Sequence, residues 1–346
     1  MTVRVDLARP QLAEPVLPLA SYRLTFEALD GFFLAGSQGS FWRSAIGKEL
    51  QAYSTGKDLK ALETDSIPRE ELYRYLFETP PPLDASKMRR YPNAPHPYVI
   101  TAPCKPGPQE IASGSSFGLK LTLFGRGNEA LPAIVAALTR AGEAGLGSGR
   151  GRGRAKLVRL ESVSLDGTQC YRGIGHLGDQ LRSAEVKCPM VPPMPGRVSV
   201  SLDTPLQLLI QKPAPIDREE KRPGKTRRVV LLPREFRPHH LFSSLVRRIS
   251  MLMTFHTGAD IGDTYFVGLK AAGQDVRLQE PRLEYVKDSR WSSRQETEIN
   301  LSGIAGEFML DMEKAPTLWP YLWLGQWTHA GKHATEGLGA YRISSV

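Results

Sequence analysis

The pattern of apolar and polar positions divides the chain into elements before any chemistry is considered. Residues 18–29 (PLASYRLTFEAL) read as an opening strand. Residues 37–53 have a helical period: Trp42, Ala45, Ile46 and Tyr53 share a face, and Ser37 or Ser40 stands at the cap. ELYRYLFET is apolar enough to pack, and PPPLDASKMRRYPNAPHP is a proline-rich loop in which His96 is a turn residue. PYVITAP and SSFGLKLTLFG predict two strands, the second alternating at Phe117, Leu119, Leu121 and Leu123. LPAIVAALTRA sets Leu131, Ile134, Val135 and Leu138 on one helical face, and KLVRLESVSL alternates like a strand. The order β-α-β-β-α-β is ferredoxin-like.

The second half repeats the theme. Residues 164–196 are rich in Gly and Pro and predict a connector, in which His176 is a surface residue. RVSVSLDTPLQLLI reads as a strand. Residues 212–228 predict a charged mobile loop, either solvated or a basic finger on RNA. From Pro238 to His256 an amphipathic helix aligns Phe242, Leu245, Val246, Ile249, Leu252, Met253 and His256, with Arg247 and Arg248 off the stripe. Strands RLEYV and TEINLSGIAGEFML follow. Thr317 then caps LWPYLWLGQWTHAGK, and GLGAYRI closes the chain.

Both halves end strand, turn, helix, GLG, strand, at Gly145-Leu146-Gly147 and at Gly337-Leu338-Gly339. Agreement in element order around both triplets points to duplication. The expectation is an α+β protein of two tandem ferredoxin-like domains, 1–163 and 197–346, joined by 164–196. Each has a glycine-rich loop before its last strand.

Charge narrows the function. A net charge of +9 over 346 residues favours a polyanionic partner. No apolar run is long enough to span a bilayer, and no basic amphipathic helix has a strongly apolar face, so nucleic acid is preferred to membrane. No export signal is seen, and a cytoplasmic location is expected. Cys104, Cys170 and Cys188 are odd in number and widely spaced, which fits neither a disulfide framework nor a zinc site. No cofactor is expected. The charge concentrates in Gly145–Lys156, GLGSGRGRGRAK, which holds Arg150, Arg152, Arg154 and Lys156 and no acid. Gly145 and Gly147 let the backbone lie close to a ligand, and the arginine forks suit phosphate oxygens. Arg247 and Arg248, with Gly337 and Gly339 of the second turn, extend this expected nucleic-acid surface. Arg43 and Lys48 are solvated charges or contacts to the RNA backbone. Trp291 is a stacking platform or a core residue.

With these pieces in view the sequence resembles the CRISPR-associated endoribonucleases of the RAMP superfamily that cut precursor RNA within each repeat. The resemblance is carried by YLFET (75–79), HPYVI (96–100), LTLFGRG (121–127), GLGSGRGRGRAKL (145–157), LVRRISMLMTFHTG (245–258), WSSRQ (291–295), LSGIAG (301–306) and LWLGQWTHAGKHATEGLGAYRI (322–343). It implies RRM-like RAMP domains, CRISPR repeat RNA as ligand, and other subunits of an effector complex as partners. It also implies metal-independent attack of a 2′-OH on the adjacent phosphate. The chain departs from the pattern in two places: 54–77 has no cysteine cluster for a metal, and 37–53 has no histidine.

Such a reaction needs a base, an acid and cations at the phosphate. His329 is the first candidate, because a helix C-terminus favours imidazolium; the alternative is that it caps its own helix. Lys332 would stabilise the phosphorane, and His333 would substitute as acid or base. His256 is second, although a packed histidine fits its place on the apolar stripe.

Overall fold

The computed structural model describes residues 14–56, 67–80, 94–105, 107–147, 151–165, 171–173, 185–213, 226–259, 272–292 and 297–345. The first half holds β1 (Leu19–Ala28), α1 (Gln38–Ser54), β2 (Tyr98–Thr101), β3 (Ser116–Phe124), α2 (Leu131–Ala144) and β4 (Ala155–Val163). The second holds β5 (Arg197–Leu206), α3 (Pro238–Thr257), β6 (Arg277–Val286), β7 (Gly303–Asp311), α4 (Trp319–Thr328) and β8 (Tyr341–Ser345). The sheets run β2-β3-β1-β4 and β6-β7-β5-β8, all antiparallel. Both are therefore ferredoxin-like, and the expected tandem α+β architecture is found.

Period-2 burial explains the first sheet. Tyr22, Leu24 and Phe26 of β1 face the helices, while Arg23 and Glu27 face solvent. Leu24 pairs with Leu119 and Leu160, and Phe26 with Phe117 and Leu157. Trp42, Ile46 and Leu50 of α1 and Ile134, Val135 and Leu138 of α2 close this core. At one end of the sheet the opposite face is also covered. There Leu19, Val99 and Phe124 join the second core, which includes Leu245, Ile249 and Leu252 of α3 and Leu322 and Leu324 of α4. Two-sided burial explains why Leu123 and Phe124, neighbours in sequence, are both buried.

Three local expectations change. Strand Tyr171–Gly173 lies inside the stretch read as a connector and extends the first sheet beside β4. RVSVSLDTPLQLLI is two strands, because Gln207 leaves the ladder. Its side chain donates to the carbonyls of Asn300 and Ser302, and its own carbonyl accepts from Lys332 N–H. The second strand, Leu209–Pro213, forms a hairpin with Thr226–Val230, so the ends of the predicted loop are ordered; residues 214–225 and His176 lie outside the described residues.

The second glycine triplet is structural. Gly339 has φ +68, and a Cβ there would lie 1.9 Å from the Ala330 carbonyl oxygen. Gly337 has φ +92, and a Cβ would lie 2.7 Å from the Ile100 oxygen of β2. Both are buried. The expected RNA-contacting role of Gly337 and Gly339 is corrected: their bare backbone admits protein, not ligand. We predict that Gly339→Ala lowers unfolding free energy by more than about 2 kcal/mol, since strained φ and a backbone clash add. A urea titration followed by circular dichroism checks it, and an unchanged midpoint would contradict this account.

Candidate active site and nucleic-acid interface

The first glycine-rich turn is anchored by buried Gly145, Leu146 and Gly153. Gly145 (φ +97) and Gly147 (φ +118) leave α2, and Leu146 and Gly153 exchange both backbone hydrogen bonds to close the loop. Arg152 donates from Nε to the Gly145 carbonyl at 3.0 Å. Arg154 donates to Asp30 from its backbone N–H (3.0 Å) and Nε (2.9 Å), and this hydrogen bonding lowers the Asp30 pKa. The stretch contains no acid, but the fold brings one to it. Arg152, Arg154 and Lys156 remain exposed; Arg150 and the side chain of Trp291 lie outside the described residues.

A larger feature lies between the domains. A cleft of about 1210 Å³ is lined by Arg43, Lys48 and Tyr73 of the first domain and by Arg228, Arg290, Lys332, His333 and Glu336 of the second. His96 reaches it from the segment before β2. A second cavity, which includes His240 and Arg247, shares Gln207, Leu209, Arg228 and Lys332 with it, so one basic groove continues over α3. No described residue of Gly145–Lys156 lines either cavity.

Local structure sets the walls. YLFET forms a π-helical turn, Arg74–Glu78, which ends at Thr79 with φ +42. Gly47 of α1 leaves room for Phe77, whose ring edge would lie 2.9 Å from a Cβ there. The Arg43 guanidinium sits 5.1 Å from the Phe77 ring centre, and its Nη2 is 3.3 Å from His96 Nε2. The Thr79 hydroxyl donates to the Tyr75 carbonyl and so accepts from His96 Nδ1 at 2.8 Å. His96 is thus neutral, with Nε2 accepting from Arg43. Burial, then the Arg43 charge, pushes its pKa down to about 3. Such a ring is a poor base at neutral pH; its work is to hold Arg43 in the cleft.

The histidines separate by burial. His329 is 1% exposed, with Nε2 3.2 Å from Thr101 Oγ1 and Nδ1 3.2 Å from the Leu338 carbonyl. Burial, then the charges of Lys120 and Arg248, pushes its pKa down to about 3. The imidazolium expected of a general acid is therefore not formed, and the catalytic expectation for His329 is corrected. It is the C-cap of α4, at φ +55. His256 donates from Nε2 to the Pro95 carbonyl at 2.7 Å and accepts from the Tyr75 hydroxyl at 3.1 Å. Burial brings its pKa to about 4, so its catalytic expectation is corrected too. His240 accepts the Arg237 N–H at 3.1 Å and caps α3.

Of the two arginines on α3, Arg247 is exposed, but Arg248 turns inward. Arg248 Nε donates to the Thr328 carbonyl at 2.6 Å, and burial lowers its pKa to about 10. Arg248 is a joint between α3 and α4, which corrects its place on the expected RNA surface. Lys332 is exposed in the cleft, beside His333. Glu336, missed in the sequence, is buried under both. Burial alone would raise its pKa; interactions with nearby His333, the hydrogen bond from Ser40 and the Arg290 charge overcome this and hold it at about 2.

The cleft thus gathers five cationic side chains, Arg43, Lys48, Arg228, Arg290 and Lys332, around a single carboxylate. Among the described residues, no group of three His, Cys, Asp or Glu could hold a metal ion, and no helix is long and apolar enough to cross a membrane.

Two ferredoxin-like domains in tandem thus enclose a cationic cleft. Residues 200–341 match the family model of the CRISPR-associated endoribonuclease Cas6, and residues 17–185 match the AF_1859_N family of N-terminal domains. A solved Cas6 product complex superposes with TM-score 0.55 at 16% identity, over 94% of this chain and 100% of that one. A chain of a partial Cas6-RT-Cas1–Cas2 complex superposes with TM-score 0.52 at 13% identity, over 97% of this chain and 47% of that one. The comparison with curated proteins found no match. The second half of the chain thus matches the Cas6 endoribonuclease family, and the whole chain shares the fold of a solved Cas6 structure.

The pKa directions predict acid sensitivity. His96, His256 and His329 have folded pKa values of about 3, 4 and 3, below their ordinary 6.5. Folding therefore excludes protons, and stability present above pH 6.5 is lost as pH falls toward 4. Urea midpoints should hold from pH 8 to 7 and then drop between 6.5 and 4. A flat profile across that window would contradict the neutral, buried assignment.

Proposed function

We propose that the chain binds CRISPR repeat RNA across the interdomain cleft and cuts it without a metal. The upstream 2′-oxygen attacks the phosphorus, the 5′-oxygen leaves, and the products are a 2′,3′-cyclic phosphate and a 5′-OH. The observation that carries this reading is the cluster of cations around His333, in a chain whose residues 200–341 match an endoribonuclease family. Arg43 and Lys332 neutralise the phosphorane oxygens, where preorganised charge is most effective. His333 carries the proton to or from a bridging oxygen. Arg228 and Arg247 continue the backbone grip along the groove, and Arg152 and Lys156 offer a separate contact. After cleavage the chain keeps the product and meets other CRISPR proteins.

A second reading is a subunit that holds the RNA uncut. It is favoured by α1, which supplies Arg43 and Lys48 to the cleft but no histidine. Incubation with cognate repeat RNA in EDTA separates the two. We expect one cut leaving a cyclic phosphate, and His333→Ala slowing it about 10²–10⁴-fold with RNA affinity changed less than about threefold. An uncut repeat at every pH would support the second reading. Binding should also weaken with log salt in proportion to phosphates neutralised, and Arg43→Ala and Arg228→Ala should each reduce that slope by about one. Slopes unchanged in both variants would remove the cleft as the RNA site.

A further inference from the structure

The Glu336 carboxylate is approached from three separated parts of the chain. Ser40, in the first turn of α1, donates its hydroxyl to Oε2. Arg290, of strand Ser289–Ser292, donates from Nε to Oε2 and from Nη2 to Oε1, both at 3.1 Å. His333 Nδ1 lies 3.6 Å from Oε1. The backbone is equally close: a Cβ on Gly39 would lie 1.8 Å from the Glu336 carbonyl oxygen, so α1 rests directly on the turn. His333 itself is held at φ +57, and its carbonyl accepts from Glu336 N–H and Leu338 N–H. The remaining charged groups around the ring are Lys332 beside it, Arg43 and Lys48 from α1, Arg228 from the hairpin, and neutral His96. The others are cations, or a ring whose Nε2 already accepts from Arg43, so Glu336 alone among them can accept a hydrogen bond from Nδ1–H.

We propose that Glu336 is a positioning residue spanning the two domains: it fixes His333 with the proton on Nδ1 and leaves Nε2 to face the RNA phosphate. A carboxylate facing one imidazole nitrogen sets the tautomer at the other. Arg290 and Ser40 keep the carboxylate ionised and in place, and Ser40 links it to the helix that carries Arg43 and Lys48. Gln at 336 has one oxygen and an NH₂, and cannot satisfy Ser40, the Arg290 fork and Nδ1–H together. The catalytic part of this inference rests on the cleavage reading above; the tautomer part does not.

The test uses the full chain labelled with ¹⁵N-histidine, with the His333 signal assigned by its loss in His333→Ala. Long-range proton–nitrogen correlation spectra should show His333 as the Nδ1–H tautomer at pH 8. Glu336→Gln should shift it to a mixture, and Glu336→Asp should restore it in part. A His333 pattern identical in wild type and Glu336→Gln would overturn the proposal. On repeat RNA, Glu336→Gln should slow single-turnover cleavage at least tenfold at nearly unchanged affinity. Added to His333→Ala, it should slow cleavage no further; additive losses would also overturn the proposal. If the wild type cuts no RNA, the cleavage reading falls, while the spectra still decide whether Glu336 sets the tautomer.

Discussion

The molecule depends on how the turn after α4 seats against the edge of the first sheet. Gly337 packs on Ile100, His329 reaches Thr101 of β2, and Glu336 takes Ser40 of α1. These contacts lie within nine residues of sequence and bridge both domains. They need left-handed backbone at His329, His333, Gly337 and Gly339, a conformation strained for the two histidines and free for the glycines. The strain is held by the burial around it: the Leu338 side chain and the His329 ring are both enclosed. Without this seat Lys332 and His333 would not share a cleft with Arg43 and Lys48.

The duplicated architecture gives one turn two uses. After α2, Gly145 and Leu146 are buried, and the chain returns with Arg152, Arg154 and Lys156 exposed. After α4, the same GLG triplet is buried and admits the neighbouring domain's backbone. A Gly-Leu-Gly triplet specifies a backbone that can be approached closely, and in both turns protein makes the approach: a Cβ on Gly147 would lie 2.7 Å from the Gly151 carbonyl oxygen.

Much of the fold was legible because its strands and long helices have clean periods. Tyr22, Leu24 and Phe26 alternate, and the stripe on α3 runs from Phe242 to His256 without a break. The triplet repeat located both closing strands. The site was less legible. His96 reads as a residue between prolines, yet Thr79 in a π-helical turn holds it against Arg43. Glu336 is one acid in a basic terminal segment, and its partners are 46 and 296 residues away. Asp30 sits 124 residues from Arg154, so the glycine-rich loop looked free of acid. The signals that would have helped were indirect: an acid next to a Gly-Leu-Gly triplet, and YLFET beside HPYVI.

Burial sorts the histidines by the physics that also shapes the cleft. Removing imidazolium from water costs more than any nearby acceptor returns here, because Lys120, Arg43 and Arg248 add repulsion. His96, His256 and His329 are therefore neutral hydrogen-bonding parts of the scaffold. The cations of the cleft stand instead where water and one carboxylate tolerate them. His333 stands at that boundary, half-buried and facing Glu336, with cations on its open side. A proton-carrying group at the edge of a cationic groove is where a phosphate backbone would bring its own compensating charge, so occupancy by RNA, rather than the protein alone, completes the electrostatics of the site.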